Sequence, residues 1–261
     1  MNQVPNHMPL EPMALNWPGP QEPELAPYVP LSDWPAKSLL VLAPHPDDEV
    51  IACGGLLALA ARRQIELHVV IVSDGAKGGD PTAREFESQA AAMVLSQGGP
   101  WPRLEFWRLP DRELRPDADL RDRIAQIVRA TDADWVIAPS PFEVHPDHRA
   151  VCRASIEAMA SMRPSCPRLM LCEIGQPLIA NTLVDITSVL ELKRQALRCF
   201  VSQLALQAYD EQILGLNRQR SYTLGPQVTA AEAYWFVDPE HLASGVQGVL
   251  SGLLRALQRR M

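Results

Sequence analysis

SLLVLAPHPDDEVIACGG, residues 38–55, is the stretch whose reading decides the fold. Ser38–Ala43 is a nearly continuous apolar run of strand length, the signature of a strand buried on both faces. Pro44-His45-Pro46-Asp47-Asp48-Glu49 follows as a stiff polar loop, and residues 53–63 then show helical spacing with Leu56, Leu57 and Ala60 on one face. A strand, a loop and a helix in this order open a βαβ unit. The same alternation recurs downstream. Strands are expected at 67–73, 104–109, 134–138 and 169–174, and helices at 82–95, 120–130 and 148–162, with Thr82 and Glu85 placed as a capping box. Such spacing predicts an α/β fold, a three-layer Rossmann-like and mostly parallel sheet with helices on both faces.

The pattern changes after residue 180. A long helix is expected over 188–206, another over 211–220, a short strand over 233–237 and an amphipathic helix over 241–259. Three regions result: a Pro-rich N-terminal arm over 1–36, a catalytic domain over 37–238, and a C-terminal helix over 239–261 that packs on the domain or on a partner chain. The arm carries Pro5, Pro9, Pro12, Pro18, Pro20, Pro23, Pro27 and Pro30, so it neither forms a helix nor alternates as a strand. It either lies extended on the body or is disordered.

The chain of 261 residues carries 31 Asp and Glu against 24 Lys and Arg, a net charge of −7. That balance argues against nucleic acid as a partner, which needs a basic face, but leaves room for an anionic small molecule in a locally positive pocket. Five widely spaced cysteines without a C-x-x-C fit neither a disulfide framework nor a cysteine zinc site, and point to a reducing, cytoplasmic setting. No secretory signal and no apolar run of membrane-spanning length is visible.

Two clusters carry the chemistry. The first is His45-Pro46-Asp47-Asp48-Glu49, and the second is His145-Pro146-Asp147-His148, which follows the strand at 134–138. Both fall at strand carboxyl ends, where parallel sheets bind ligands. His45 and Asp48 suit zinc or a similar divalent ion. Asp47 is then a free carboxylate beside the ion, as a general base must be. Of the two later histidines, one can complete a metal site while the other polarises a carbonyl or protonates a leaving amine, and Asp147 can orient an imidazole. Capping of the next helix is the plainer use of Asp47, Asp48 and Glu49, but it leaves the flanking prolines and His45 unexplained.

The His-Pro-Asp-Asp-Glu element with Cys53-Gly54-Gly55, and the later His-Pro-Asp-His, resemble the PIG-L/LmbE-like family of zinc-dependent N-acetyl-sugar deacetylases. Ser73-Asp74-Gly75, Arg84-Glu85, Leu109-Pro110-Asp111, Lys193 through Ser202-Gln203, and Ala231-Glu232 resemble family elements in the family order. The likeness covers about residues 37–238. It implies a metal site of His45, Asp48 and His148 holding Zn2+ or Fe2+. It implies Asp47 as the base that acts on metal-activated water, His145 as oxyanion stabiliser or acid tuned by Asp147, and Arg84 and Asp111 as holders of sugar hydroxyls or a phosphate. Glu143 stands where some relatives carry a tyrosine, and no role is assigned to it.

The implied function is removal of the N-acetyl group from an N-acetylglucosamine-type conjugate, a small-molecule substrate. An amidase for a longer N-acyl group of a glycopeptide or glycolipid is the alternative, and a non-catalytic Rossmann-like scaffold a second. The first loop lacks G-x-G-x-x-G and offers carboxylates where a dinucleotide needs amides, which disfavours a nucleotide module. No Gly-x-Ser-x-Gly occurs. The arm and the last helix are where a homo-oligomer contact is expected.

Overall fold

The computed structural model describes residues 29–30, 37–97, 102–162 and 166–258. Its elements in chain order are β1 (Val29–Pro30), β2 (Ser38–Ala43), α1 (Asp48–Arg62), β3 (Glu66–Ser73), α2 (Pro81–Leu95), β4 (Arg103–Leu109), α3 (Ala118–Thr131), β5 (Trp135–Pro139), α4 (Pro146–Ser161), β6 (Arg168–Cys172), β7 (Thr182–Asp185), α5 (Leu190–Leu197), α6 (Val201–Leu204), α7 (Tyr209–Arg220), β8 (Ala231–Phe236), α8 (Pro239–Ala243) and α9 (Gly245–Gln258). The strands form one sheet in the order β1-β7-β8-β6-β5-β2-β3-β4. Pairings from β6 through β4 are parallel, and β8 runs antiparallel to both β6 and β7.

All six residues of β2 are buried, as the apolar run required. Alternate residues serve two cores. Leu39 and Val41 pack with Leu56 and Leu57 of α1 and with Leu197 of α5. Leu40 and Leu42 pack with Ile124 and Val128 of α3, Val151 and Met159 of α4, and Val249 and Leu253 of α9. The fold is the expected three-layer, Rossmann-like arrangement of helices on both faces of a mixed, mostly parallel sheet.

The topology also positions the site. From β2 the chain winds outward to β3 and β4, then returns to place β5 on the other side of β2, with Leu39 opposite Trp135 and Val41 opposite Ile137. The carboxyl ends of β2 and β5 therefore form the switch point of the sheet, where a crevice opens. Both histidine clusters follow these two strands.

Several boundaries differ from expectation. Helix α1 starts at Asp48 rather than at 53, because the Asp47 carbonyl already accepts from the Val50 and Ile51 amides. Helix α4 starts at Pro146, the first-turn position that proline favours, with His145 as its cap. The long helix expected over 188–206 is broken. A 3-10 turn at Thr187–Val189 leads into α5, and α6 is separate. The Ser202 amide and hydroxyl both donate to Glu87 of α2 at 2.7 Å, which holds the chain away from a straight helical path. The last helix is also two, α8 and α9, divided at Gly245 with φ +59. Strand β7 had no counterpart in the sequence reading. Of the arm, Val29–Pro30 pairs with β7 and the rest lies outside the described residues. Among the described residues no helix is long and apolar enough to cross a membrane.

Candidate metal centre and its cleft

Three candidate ligand atoms meet at the switch point. His45 Nδ1 lies 3.1 Å from Asp48 Oδ2, His148 Nε2 lies 3.2 Å from the same oxygen, and the two nitrogens are 3.3 Å apart. A tetrahedral ion bonded at about 2.0–2.1 Å has ligand atoms separated by roughly 3.3 Å, so this triangle has the size of one face of a zinc or iron(II) coordination sphere. His145 also brings a ring nitrogen within 4.8 Å of His45 and His148.

The outer sides of both imidazoles are held by carboxylates. His45 Nε2 faces Asp147 Oδ2 at 3.1 Å and Asp111 Oδ1 at 3.2 Å. His148 Nδ1 faces Glu143 Oε2 at 3.2 Å. Such contacts fix ring orientation and leave Nδ1 of His45 and Nε2 of His148 for a metal. The carboxylates are themselves anchored. The Arg112 and Leu114 amides donate to Asp147, the Lys77 amide to Asp111, and the Ile174 and Gly175 amides to Glu143.

Burial opposes charge on His45, but hydrogen bonds to Asp111, Asp147 and Asp48 outweigh it and raise its pKa to about 11. Burial likewise opposes charge on His148, and Asp48 and Glu143 raise its pKa to about 9. In the protein without metal both rings are therefore protonated at neutral pH. Metal uptake at pH 7 should release protons, and apparent affinity should rise with pH through about 9 toward about 11. Calorimetry of Zn2+ binding in buffers of different ionisation enthalpy reads this directly. A heat independent of buffer would contradict it.

Asp47 is set apart from the triangle by its backbone. Its φ of +127 is rare for a residue with a side chain, and such strain costs about 1–3 kcal/mol. Its amide donates to Glu49 Oε2, and its side chain caps nothing. The carboxylate lines the cleft and takes one hydrogen bond from Arg84 at 3.2 Å. Burial first, then the neighbouring Asp48 charge, pushes its pKa well above the usual carboxylate range. His145 is half-buried, and its Nδ1 accepts from the Asp147 amide at 3.2 Å, which leaves the proton on Nε2. Burial and the charges at His45 and His148 lower its pKa, so the neutral ring is the resting form.

Two expected contacts are corrected. Asp147, fully buried, places its carboxylate against His45 rather than His145, and meets His145 only through its backbone amide. Arg84 is committed to the protein rather than open to substrate. Its guanidinium donates to the Gly75 and Pro46 carbonyls and to Asp47, which holds the first loop in place. Gly75 makes this possible: at φ +64, a Cβ there would lie 2.5 Å from the Arg84 guanidinium. Asp111 lines the cleft, but both its oxygens are in use. Glu143 was the residue missed. Its only signal is an acid two positions before His145.

The cleft above these residues holds about 620 Å³. It is lined by Lys77, Arg112 and the histidines together with apolar Ile51, Ile174, Leu206, Ile213 and Leu216.

The family model described as "PIG-L: GlcNAc-PI de-N-acetylase" matches residues 40–159, which include both clusters. A 4-oxalmesaconate hydratase from Pseudomonas putida is 29% identical over 204 residues, covering 67% of this chain and 77% of the relative. A diacetylchitobiose deacetylase from Thermococcus kodakarensis is 27% identical over 191 residues, covering 64% and 70%. Among solved structures, an N,N'-diacetylchitobiose deacetylase from Pyrococcus horikoshii superposes with a TM-score of 0.70 at 25% identity, over 80% of this chain and 85% of that one.

Proposed function

We propose that the chain, whose residues 40–159 match the PIG-L family model, is a deacetylase that hydrolyses the N-acetyl group of an N-acetylglucosamine-type sugar conjugate. The observation that carries this reading is the His45–Asp48–His148 triangle of 3.1–3.3 Å edges, with the Asp47 carboxylate and a neutral imidazole beside it in one cleft. A divalent ion held there, Zn2+ or Fe2+, supplies Lewis acidity for the acetyl carbonyl and lowers the pKa of water toward about 7.

The chain's own residues do the rest. Asp47, with its raised pKa, accepts a proton from the attacking water. The C–O bond forms as the carbonyl π bond opens, and His145 donates from Nε2–H to the oxygen on which charge collects. The amide C–N bond breaks as its electron pair goes to nitrogen. The proton held by Asp47 passes to that nitrogen, so acetate and an amine leave. A neutral His145 suits the donor role better than that of a proton source. Asp147, Asp111 and Glu143 hold the imidazoles, and Arg84 holds Asp47.

The hydratase relative supports a second reading, in which the same base directs water onto a carbon–carbon double bond. One assay separates them. The metal-loaded protein, given N-acetylglucosamine conjugates, should release acetate and amine in equal amounts. Activity on 4-oxalmesaconate with no acetate from any conjugate would overturn the deacetylase reading.

A further inference from the structure

We propose that Arg112 and Lys77 form an anion-recognition rim, so that the substrate carries a negatively charged group on its aglycone. This rests on the deacetylase reading for the identity of the sugar, not for the anion. Both side chains are exposed, both line the cleft, and both are rooted at the metal centre. The Lys77 amide donates to Asp111 Oδ2 at 2.9 Å, and the Arg112 amide donates to Asp147 Oδ2 at 2.7 Å. Those two carboxylates flank His45 Nε2. The roots of the two cations are therefore fixed on one side of the reacting centre.

The backbone at Arg112 favours another residue. Its amide sits in the turn closed by Glu113 N–H to the Pro110 carbonyl, at φ +64, a conformation suited to glycine. An arginine there is a poor choice for the turn and supplies a long cationic arm at the mouth. Among the described residues, neither ammonium nor guanidinium has an ion-pair partner. The carboxylates lining the cleft are already engaged. Asp47 is held by Arg84, Asp48 lies against both metal-site histidines, and Asp111 is held by His45 and the Lys77 amide. Arg84 makes its bonds within the protein. Lys77 and Arg112 are thus the cations left for a ligand, on a protein whose net charge of −7 would otherwise repel anions. A carboxylate and a phosphate share the required chemistry, and the planar guanidinium suits either in a bidentate pair.

The test titrates the metal-loaded protein calorimetrically with three N-acetylglucosaminides, methyl, 2-carboxyethyl and 2-phosphoethyl, and follows acetate release in parallel. Wild type should bind at least one anionic glycoside about tenfold more tightly than the methyl glycoside. The larger of the two preferences identifies the carboxylate or the phosphate as the cognate group. The preference should shrink as salt is raised. Arg112→Gly, which relieves the turn, should bring the anionic-to-neutral ratio near one, and Arg112→Lys should restore part of it. Equal affinity for all three glycosides, or a preference that survives both Arg112→Gly and Lys77→Met, overturns the rim. Preferential anion binding without acetate release leaves the rim standing and removes the deacetylase reading. Acetate release with no anion preference does the reverse.

Discussion

Asp47→Asn is expected to lower kcat by about 10²–10⁴ while leaving metal content near that of wild type. The substitution is nearly isosteric. Asn retains an oxygen for the Arg84 guanidinium and, like Asp, is among the side chains that tolerate positive φ best. What it loses is the capacity to take a proton from water. The His45–Asp48–His148 triangle does not include Asp47, so loss of activity and loss of metal should separate. Acetate release measured beside elemental analysis checks both. Turnover equal to wild type would remove Asp47 as the base, and coupled loss of metal would make it part of the metal site.

Lys193→Met should destabilise the protein by about 3–5 kcal/mol, the usual cost of stranding one member of a buried ion pair. Lys193 is 0% exposed, and its Nζ donates to Glu232 Oε1 at 2.7 Å and to the Ile51 carbonyl at 2.9 Å. Glu232 in turn accepts from the Gly55 and Leu56 amides and from the Tyr234 hydroxyl. The pair therefore clamps α1, which carries Asp48, to α5 and β8. A fall in Tm of about 6–20 °C follows for a domain of this size. The partner variant decides whether charge is the cause. Adding Glu232→Gln removes the stranded carboxylate and should recover part of the loss. A double variant no more stable than Lys193→Met would point to packing of the lysine stem instead.

The two clusters were legible because each sits in a short contiguous run behind a buried strand, and the mostly parallel character of the sheet, though not its strand order, followed from the alternation of elements. Their convergence required only that β2 and β5 be neighbours, which the doubly wound order supplies. What the sequence did not disclose is pairing at a distance. Asp147 stands beside His145 in the chain, yet the turn of α4 sends it to His45, 102 residues away. Glu143 carries no motif of its own. Its meaning lies in the three-dimensional meeting with His148 and with the amides after β6. Lys193 and Glu232 were visible as family elements, but their joint hold on α1 depends on packing of three elements. Ser202 broke a predicted helix through Glu87, 115 residues earlier, a tertiary contact that local propensity does not contain. Arg112 gave no signal because a positive φ belongs to the turn rather than to the residue.

The most direct measurement is the metal content of purified wild type beside His148→Ala, by elemental analysis after reloading with Zn2+ or Fe2+. About one ion per chain is expected in wild type and its loss in the variant, because the triangle would be left with two of its three corners. A wild type that holds no metal after reloading, or a variant that holds it as well as wild type, would contradict the metal centre and the hydrolysis built on it.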